Sequence, residues 1–409
     1  MGDTAVVVGG GIGGLAAAIG LRRIGWEVTV IERASIPEDA GAGISLAANG
    51  LRALDELGVG EVVRDASRGQ YRGGTRTPEG GWLARMDGAV LEQAVGTPIM
   101  GIPRSTLHRL LREALPTEAL LIGSEADSVR QIGSETVRVG CDGTVLDADL
   151  VVAADGIGSK VRSLVFPAHP GPVYSGSTVL RAITEQTVEL RNDFELTWGH
   201  GSEFGHIALR DGRAEWHAVL NMPAGVRFAD PLAELRRRFR GWHDPVPALF
   251  DATRPAAVLH HDVNEIRTPL LSYTVGRIAL LGDAAHAMTP HLGQGACQAL
   301  EDAVTLAAAL AAESTVESAL ARYDAERRPR SQAVARAARQ AGRMGQQLSH
   351  PLAVTLRNTA MRLTPSRVAA HMILRHHAWV PPRLTRSDSG PANSPPETPS
   401  GEIDASEHG

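Results

Sequence analysis

A glycine-rich turn near the N-terminus places the strongest constraint on the fold of this chain. Residues 4–33 read as an apolar strand, a tight turn, a helix and a second apolar strand that ends at Glu32. The turn has the spacing Gly-x-Gly-x-x-Gly, with its glycines at Gly9, Gly11 and Gly14. Elements in this order predict a βαβ unit, in which the two strands lie parallel in one sheet.

Each part of this unit suits the binding of a dinucleotide. Gly9 permits the turn, Gly11 lets the backbone approach a diphosphate, and Gly14 lets the helix pack closely on the strand. The helix N-terminus offers free N–H groups and a positive dipole end to the phosphates. Glu32 would accept hydrogen bonds from a ribose and would repel a 2′-phosphate. The turn predicts a dinucleotide site but does not separate NAD from FAD.

The charge distribution excludes two classes of partner. The chain has 41 Lys and Arg residues against 46 Asp and Glu residues, which gives a net charge of −5. No Lys or Arg follows Arg386, so residues 387–409 carry the whole surplus and the remainder is balanced. A balanced body without a basic stripe argues against nucleic acid and against an anionic membrane surface.

Cysteine usage and hydropathy indicate an intracellular protein. The two cysteines, Cys141 and Cys297, are far apart and match neither a disulfide framework nor a cysteine-rich metal site. We expect no signal peptide and no membrane-spanning helix, since the first residues already read as a strand and long uncharged apolar runs are lacking. We therefore expect a cytoplasmic monomer or homodimer that holds no metal.

A second glycine-containing loop lies far along the chain. Residues 277–282 read as a buried strand, so Asp283 emerges at its carboxyl end, where open α/β sheets bind ligands. The Gly-Gln-Gly sequence of residues 293–295 then leads into an alanine-rich helix predicted to end near residue 312. Two helix N-termini for one dinucleotide favour FAD. The first would bind the diphosphate, and the second would face a reduced flavin, which is anionic at its pyrimidine edge.

Three motifs in this order resemble those of the single-component FAD-dependent monooxygenases of the p-hydroxybenzoate hydroxylase type. They are the first glycine turn, the segment Asp-Gly-Ile-Gly-Ser-Lys-Val-Arg of residues 155–162, and Gly282-Asp283. The match spans roughly residues 4–335, and the pattern is most similar to that of salicylate, urate and 6-hydroxynicotinate hydroxylases. The resemblance implies an α/β fold in which a Rossmann-like FAD-binding domain is interleaved with a mixed β-sheet substrate domain and followed by C-terminal helices.

The resemblance also implies a division into domains. We expect the FAD-binding domain to be discontinuous, over residues 1–170 and 275–335, with substrate-domain insertions near residues 70–100. The substrate domain should cover residues 171–274, where strand-like segments carry many aromatic residues. Helices should follow over residues 336–386. The acidic, proline-containing tail of residues 387–409 should be disordered.

The resemblance assigns non-covalent FAD binding to residues of two segments, 9–155 and 282–297. Those expected at the diphosphate turn are Gly9, Gly11, Gly13 and Gly14. Those expected near the ribose, the adenine, the ribityl chain or elsewhere beside the cofactor are Glu32, Arg33, Ser45, Arg104, Ala126, Gly282 and Asp283. Asp155 is expected to serve both FAD and the nicotinamide cofactor. Those expected to face the flavin pyrimidine ring are Gly293, Gln294, Gly295, Ala296 and Cys297.

The activity implied by the resemblance needs a second cofactor and oxygen. NADH or NADPH would reduce FAD, O2 would add to form a flavin C4a-hydroperoxide, and a small aromatic or heteroaromatic substrate would attack its distal oxygen. The sequence does not choose between NADH and NADPH. Two alternatives stay open: an epoxidase or Baeyer–Villiger-type oxygenase that acts on a polycyclic compound, and a flavin reductase of the same fold.

The candidate catalytic residues are Pro290 and His291. Pro290 has the family position near the reacting flavin edge, and a histidine that follows it has a pKa suited to a base near neutral pH. Candidates for the substrate pocket are Arg181, Trp198 and Trp216. The same segment contains three histidines that strand alternation makes unlikely to share one face, His200, His206 and His217.

Overall fold

The computed structural model describes residues 3–35, 42–364 and 374–384. The strands are β1 Thr4–Val8, β2 Glu27–Glu32, β3 Gly43–Leu46, β4 Arg68–Gln70, β5 Arg72–Arg76, β6 Trp82–Asp87, β7 Ile99–Pro103, β8 Leu120–Ile122, β9 Ala126–Ile132, β10 Thr136–Cys141, β11 Thr144–Ala148, β12 Leu150–Ala153, β13 Val173–Ile183, β14 Phe194–Trp198, β15 Ser202–Ala208, β16 Ala214–Asn221, β17 Leu259–Glu265, β18 Thr274–Val275 and β19 Ile278–Leu280. The α-helices are α1 Ile12–Arg23, α2 Ala48–Glu56, α3 Gly60–Ala66, α4 Gly88–Val95, α5 Arg104–Glu113, α6 Lys160–Val165, α7 Pro231–Arg238, α8 Val246–Asp251, α9 Asp283–His286, α10 Gly295–Ala312, α11 Val316–Met344 and α12 Pro351–Leu363. The predicted acidic tail of residues 387–409 lies outside the described residues.

The N-terminal unit forms the centre of a six-stranded sheet. The strand order is β18-β19-β12-β1-β2-β8, and every neighbouring pair is parallel except β18 with β19. The central strands β1, β12 and β19 are buried along nearly their whole length, because helices cover both faces of a parallel sheet. Strands from the two ends of the predicted FAD-binding domain thus lie side by side, although residues 171–274 separate them in sequence.

Two glycines at the turn after β1 lie too close to neighbouring backbone to carry side chains. Gly9 has a φ of +106°, and a Cβ there would lie 2.3 Å from the carbonyl oxygen of Ala154. A Cβ on Gly14 would lie only 1.9 Å from the carbonyl oxygen of Gly9. Glycine at both positions therefore lets α1 begin directly against the end of β1 and beside the loop after β12.

The seven-stranded sheet is mixed, as predicted. Its order is β17-β13-β16-β15-β14-β5-β6, with β14 and β5 parallel and the other pairs antiparallel. Two of its strands come from residues 72–87, within the insertion predicted near residues 70–100. One face of this sheet packs on α7 and α8 around Trp216, Phe204, Phe239 and Phe250.

One sequence-based boundary lies within a helix. The predicted boundary between residues 335 and 336 falls inside α11, which runs unbroken for 29 residues even though Pro329 lies within it. Gly58, with a φ of +77°, lies between helices α2 and α3. None of the helices in the described ranges has the length and continuous apolar character that a bilayer-spanning segment needs.

We predict that Gly14→Ala lowers the free energy of unfolding by roughly 1–3 kcal/mol or more, since the new methyl group overlaps the Gly9 carbonyl. Gly11→Ala is the matched control: Gly11 has a φ of −71°, and a Cβ there meets nothing within 4 Å. Urea denaturation of the apoproteins measures both effects. Equal stabilities for the two variants would contradict the close approach at Gly14.

Candidate active site

The residues predicted to bind the cofactor are brought together at one edge of the parallel sheet. Strands β1, β2, β12 and β19 all end there, because parallel neighbours share their carboxyl edge. The loops that follow these strands carry the glycine turn, Glu32, Asp155 and Asp283. Asp283 is exposed, although it comes only three residues after the fully buried strand β19.

The same edge offers two helix N-termini that lack side-chain caps. Helix α1 begins after Gly11 and α10 begins after Gln294, and neither capping residue bonds to the helix through its side chain. A Cβ on Gly11, Gly156, Gly293 or Gly295 would meet nothing within 4 Å. Free N–H groups beside open space suit a bound diphosphate and an anionic ring. The residues present therefore fit an FAD molecule.

Glu32 is held in place at the end of β2. Its carboxylate accepts hydrogen bonds from the backbone N–H groups of Gly10 (2.6 Å) and Ala34 (2.7 Å). Its carbonyl accepts from the backbone N–H of Ser124. Ala126, at the start of β9, is half-buried. Arg33 is exposed. His108, which the sequence did not single out, lies with Nε2 2.7 Å from the Gly10 carbonyl oxygen.

Two further predicted residues occupy neighbouring positions on β3 and α5. Ser45 is half-buried in β3, where it pairs with Gly101 of β7. Arg104 is the first residue of α5 and is half-buried, and its backbone N–H donates to the carbonyl of Ala42. The pairing of β3 with β7 thus brings Ser45 close to the end of β7, where α5 and Arg104 begin.

Asp155 links the second motif to the sheet edge. Its Oδ2 accepts from the backbone N–H of Val161, and its Oδ1 is buried with no hydrogen-bond partner among the described residues. Arg162 is buried, and its guanidinium donates to the carbonyls of Ala284 and Ile157. This arginine ties the loop after β12 to α9. Burial lowers the pKa of Arg162, and the Asp155 carboxylate opposes that effect.

A buried ionic cluster lies behind Gly282 and Asp283. Asp302 of α10 accepts hydrogen bonds from the backbone N–H of Gly282 (2.9 Å) and from Nε of Arg327 (2.7 Å), and its Oδ2 lies 2.6 Å from Nε2 of His286. Arg327 also pairs with Glu301. Burial raises the pKa of Asp302, but the charges of His286 and Arg327 outweigh it and lower that pKa to about 2. His286 is therefore a buried structural partner.

The loop before α10 is anchored to α2. Gln294 is buried, and its Oε1 accepts from Nδ2 of Asn49 at 2.9 Å, whereas its Nε2 has no partner among the described residues. Gly293 is exposed, and Gly295 and Ala296 are half-buried. Cys297 packs against Gly50, where burial raises the pKa of its thiol to about 11. That thiol is neither exposed nor ionised at neutral pH, which excludes a nucleophilic role.

The loop 290–293 is connected to the substrate sheet through one glutamine. Nε2 of His291 lies 3.2 Å from Oε1 of Gln346, whose amide nitrogen donates to Ser177 of β13 and Asn221 of β16. Because the glutamine oxygen can only accept, His291 donates from Nε2, which leaves Nδ1 as the acceptor in the neutral ring. Pro290 is exposed at the start of this loop.

His291 also borders a polar cavity. Its Nδ1 is buried and has no hydrogen-bond partner in the described ranges. The imidazole packs so closely on α11 that a Cβ on Gly342 would lie 2.5 Å from the ring. The cavity has a volume of about 120 Å³ and is lined by His291, Ser175, Glu265, Arg267, Thr289 and Arg339, among others.

The seven-stranded sheet separates the three predicted pocket residues. Arg181 and Trp198 are half-buried on the face opposite α7 and α8, which we name the open face. The prediction for Trp216 is wrong. Trp216 points to the opposite face from its neighbours Glu215 and His217, because side chains alternate along β16. Its ring is therefore fully buried on the helix-covered face, where Nε1 donates to Thr253.

The three histidines of this segment also lie in different places. His206 is buried on the helix-covered face, where burial lowers its pKa to about 4. His200 is exposed in the turn before β15, and His217 lies on the open face. Strand alternation made it unlikely that all three histidines share one face, but it did not show which face was open.

We predict that Asp302→Asn lowers the free energy of unfolding at neutral pH by about 3–5 kcal/mol, because it leaves Arg327 and His286 without their shared carboxylate. A carboxylate whose pKa is lowered in the folded protein contributes stability at any pH above its pKa in the unfolded chain. This difference should therefore shrink as the pH falls from about 3.8 towards about 2. Chemical denaturation across this range, with the exposed Asp65→Asn as control, measures it. Equal stability of wild type and Asp302→Asn at neutral pH would contradict the role of the cluster.

Comparisons with known proteins show the family of this chain. A family model described as an FAD binding domain matches residues 3–338. The aurachin C monooxygenase/isomerase of Stigmatella aurantiaca is 36% identical over 368 residues, which cover 89% of this chain and 95% of that protein. A 3-amino-4-hydroxybenzoate 2-monooxygenase of Streptomyces platensis is 36% identical over 353 residues, covering 82% and 87% of the two chains.

A solved structure also matches over nearly the whole chain. The crystal structure of Klebsiella pneumoniae HpxO complexed with FAD and uric acid superposes with a TM-score of 0.86 at 26% identity, covering 92% of this chain and 97% of that one. The family match, the relatives and this superposition agree with the fold predicted from the three motifs. The chain belongs to the family of FAD-dependent monooxygenases that share this FAD binding domain.

Proposed function

We propose that this monooxygenase uses NADH or NADPH and O2 to hydroxylate a small aromatic or heteroaromatic molecule. The observation that carries the proposal is the position of the two uncapped helix N-termini at the sheet edge, with the open face joined to them through His291 and Gln346. Uric acid in the similar HpxO complex and the aminohydroxybenzoate named for a relative support an aromatic substrate.

The predicted residues would hold FAD along the sheet edge. The N–H groups that follow Gly11 would bind the diphosphate, Glu32 would accept from the adenosine ribose, and Asp283 would accept from the ribityl chain. The N-terminus of α10 would face the pyrimidine edge of the ring. When bound, FAD takes a hydride from the nicotinamide cofactor and activates O2 for transfer of one oxygen atom.

The protein's own contribution is to position the substrate and to exclude water. The apolar residues of the open face, such as Val179 and Leu196, are half-buried and offer a wall for a planar ring. His291 fixes the loop 290–293 against α11 and directs Nδ1 away from Gln346. A hydrogen bond from a substrate hydroxyl or N–H group to Nδ1 would orient the ring.

We also place the reaction in the cytoplasm, with the enzyme acting as a monomer or homodimer. The two described cysteines are buried and unpaired, which suits a reducing compartment.

The proposed reaction is tested by oxygen consumption. Purified protein should contain or take up FAD, and an aromatic substrate should accelerate NADH or NADPH oxidation with matching O2 uptake. A flavin reductase would instead turn over equally fast without oxygen. Mass spectrometry of the product separates a hydroxylated ring from an epoxide or a ring-expanded ester. Turnover under anaerobic conditions would contradict the proposal.

We predict that Asp283→Ala weakens FAD binding about 10- to 100-fold, because a carboxylate hydrogen bond of roughly 1.5–3 kcal/mol is lost. Asp283 is exposed, so the fold should remain intact. Quenching of flavin fluorescence on titration of the apoprotein measures the dissociation constant, with Asp65→Ala as control. An unchanged dissociation constant would remove Asp283 from the FAD site.

We predict that His291→Ala lowers product formation while FAD stays bound, since the loop 290–293 loses its attachment to Gln346. Gln346→Glu keeps an acceptor for Nε2 and should retain more activity. The ratio of product formed to NAD(P)H consumed is the informative quantity. Identical ratios in wild type and His291→Ala would exclude His291 from the reaction.

A further inference from the structure

Both backbone polar groups of Gly10, in the turn after β1, are held by side chains from outside the turn. Its N–H donates to Oε2 of Glu32 at 2.6 Å, and its carbonyl oxygen lies 2.7 Å from Nε2 of His108. Because a carbonyl oxygen can only accept, His108 donates from Nε2. Glu32 belongs to β2 and His108 to α5, so two separate elements fix this one glycine.

The N–H groups of the turn divide into those bound by the protein and those that stay free. The N–H of Gly9 donates to the carbonyl of Ile31 at 2.8 Å, and that of Gly10 donates to Glu32. The N–H of Gly11 donates to none of the described residues, and a Cβ on Gly11 would meet nothing within 4 Å. Gly11 therefore offers a free donor beside the open space where α1 begins.

The contact with His108 sets the direction of that free donor. The peptide between Gly10 and Gly11 is trans, so its carbonyl and its N–H point in opposite directions. The carbonyl points towards α5, and the N–H of Gly11 consequently points away from α5. Glycine on both sides of a peptide lets it rotate with little steric resistance. A rotated peptide would present its oxygen where the N–H now points, and an anionic ligand would be repelled there.

Helix α5 carries His108 on the same side as a residue already expected beside FAD. Arg104 and His108 are four residues apart, which places them one turn apart on one face of the helix. Both residues are half-buried. Leu107 and Leu111 are fully buried and anchor α5 in the core beneath the six-stranded sheet. The hydrogen bond from His108 therefore ties the turn to a fixed element.

We propose that His108 is a positioning residue for FAD, whose hydrogen bond to the Gly10 carbonyl aims the N–H of Gly11 at the diphosphate. This inference rests on the placement of FAD proposed above. His108 acts through the peptide, and the group that meets the ligand is the N–H of Gly11. The effect of His108 is therefore confined to ligands that carry a diphosphate.

The first test is a series of substitutions at His108. His108→Gln retains an N–H donor near the position of Nε2, His108→Asn carries its donor on a shorter side chain, and His108→Leu has no donor. Loss of one neutral hydrogen bond should raise the Kd for FAD about 5- to 10-fold in His108→Leu and His108→Asn, whereas His108→Gln should stay within about twofold of wild type. Quenching of flavin fluorescence on titration of the apoprotein measures these constants.

The exposed His200→Leu is the matched control and should bind FAD as wild type does. Urea denaturation of each apoprotein shows whether the variants fold, and His108→Asn replaces His108→Leu in the comparison if the latter does not. An unchanged Kd in the variants without a correctly placed donor would overturn the proposal. So would an equal loss of affinity in His108→Gln, because a merely structural role of the imidazole would not be rescued by a donor alone.

The second test compares two ligands that share the adenosine group but differ in the diphosphate. ADP and adenosine are titrated as competitors of FAD. His108→Leu should weaken ADP by the same factor as FAD and should leave adenosine unchanged. Equal weakening of adenosine would indicate a general disruption of the site and would overturn the proposal. If wild type binds neither FAD nor ADP, the proposed placement of FAD itself fails. If wild type binds both and the variants match it, only the role of His108 fails.

Discussion

The structure depends on one buried carboxylate, that of Asp302. It is the point at which α10, α11, α9 and the loop after β19 meet, because it binds Arg327, His286 and the backbone N–H of Gly282 at once. Such a cluster is costly to desolvate, and it is stable only when each charge keeps its partners. Arg327 keeps a second carboxylate partner, because it also pairs with Glu301. The position of the Gly282-Asp283 loop at the sheet edge follows from these contacts.

The Gly282-Asp283 loop lies at the edge of the six-stranded sheet, where distant parts of the chain meet. The close contact between Gly9 and Gly14 fixes the first helix N-terminus, and the contact of Gln294 with Asn49 fixes the second. The substrate sheet then joins the edge through Gln346, which contacts His291 on one side and Ser177 on the other. The cofactor and substrate regions are therefore coupled by hydrogen bonds between side chains, so a change in one region is expected to alter the other.

The sequence was sufficient for the local parts of this arrangement. The spacing of the glycines and the apolar runs predicted the βαβ unit, and the Gly-Gln-Gly sequence predicted the start of α10. Strand alternation could have separated Trp216 from Glu215 and His217. It could not show which face α7 and α8 would cover, because that depends on packing between segments distant in sequence. For the same reason, the contacts of Asp302 with Arg327 and His286 have no local signal beyond two acids in an alanine-rich helix.

The most direct test of the account is a crystal structure of the protein with FAD bound. We predict that the diphosphate lies against the N-terminus of α1, between Gly11 and Glu32, and that the flavin ring lies between the loop 290–297 and the open face that carries His217. A ring on the helix-covered face beside Trp216, or a diphosphate away from the first glycine turn, would contradict the account.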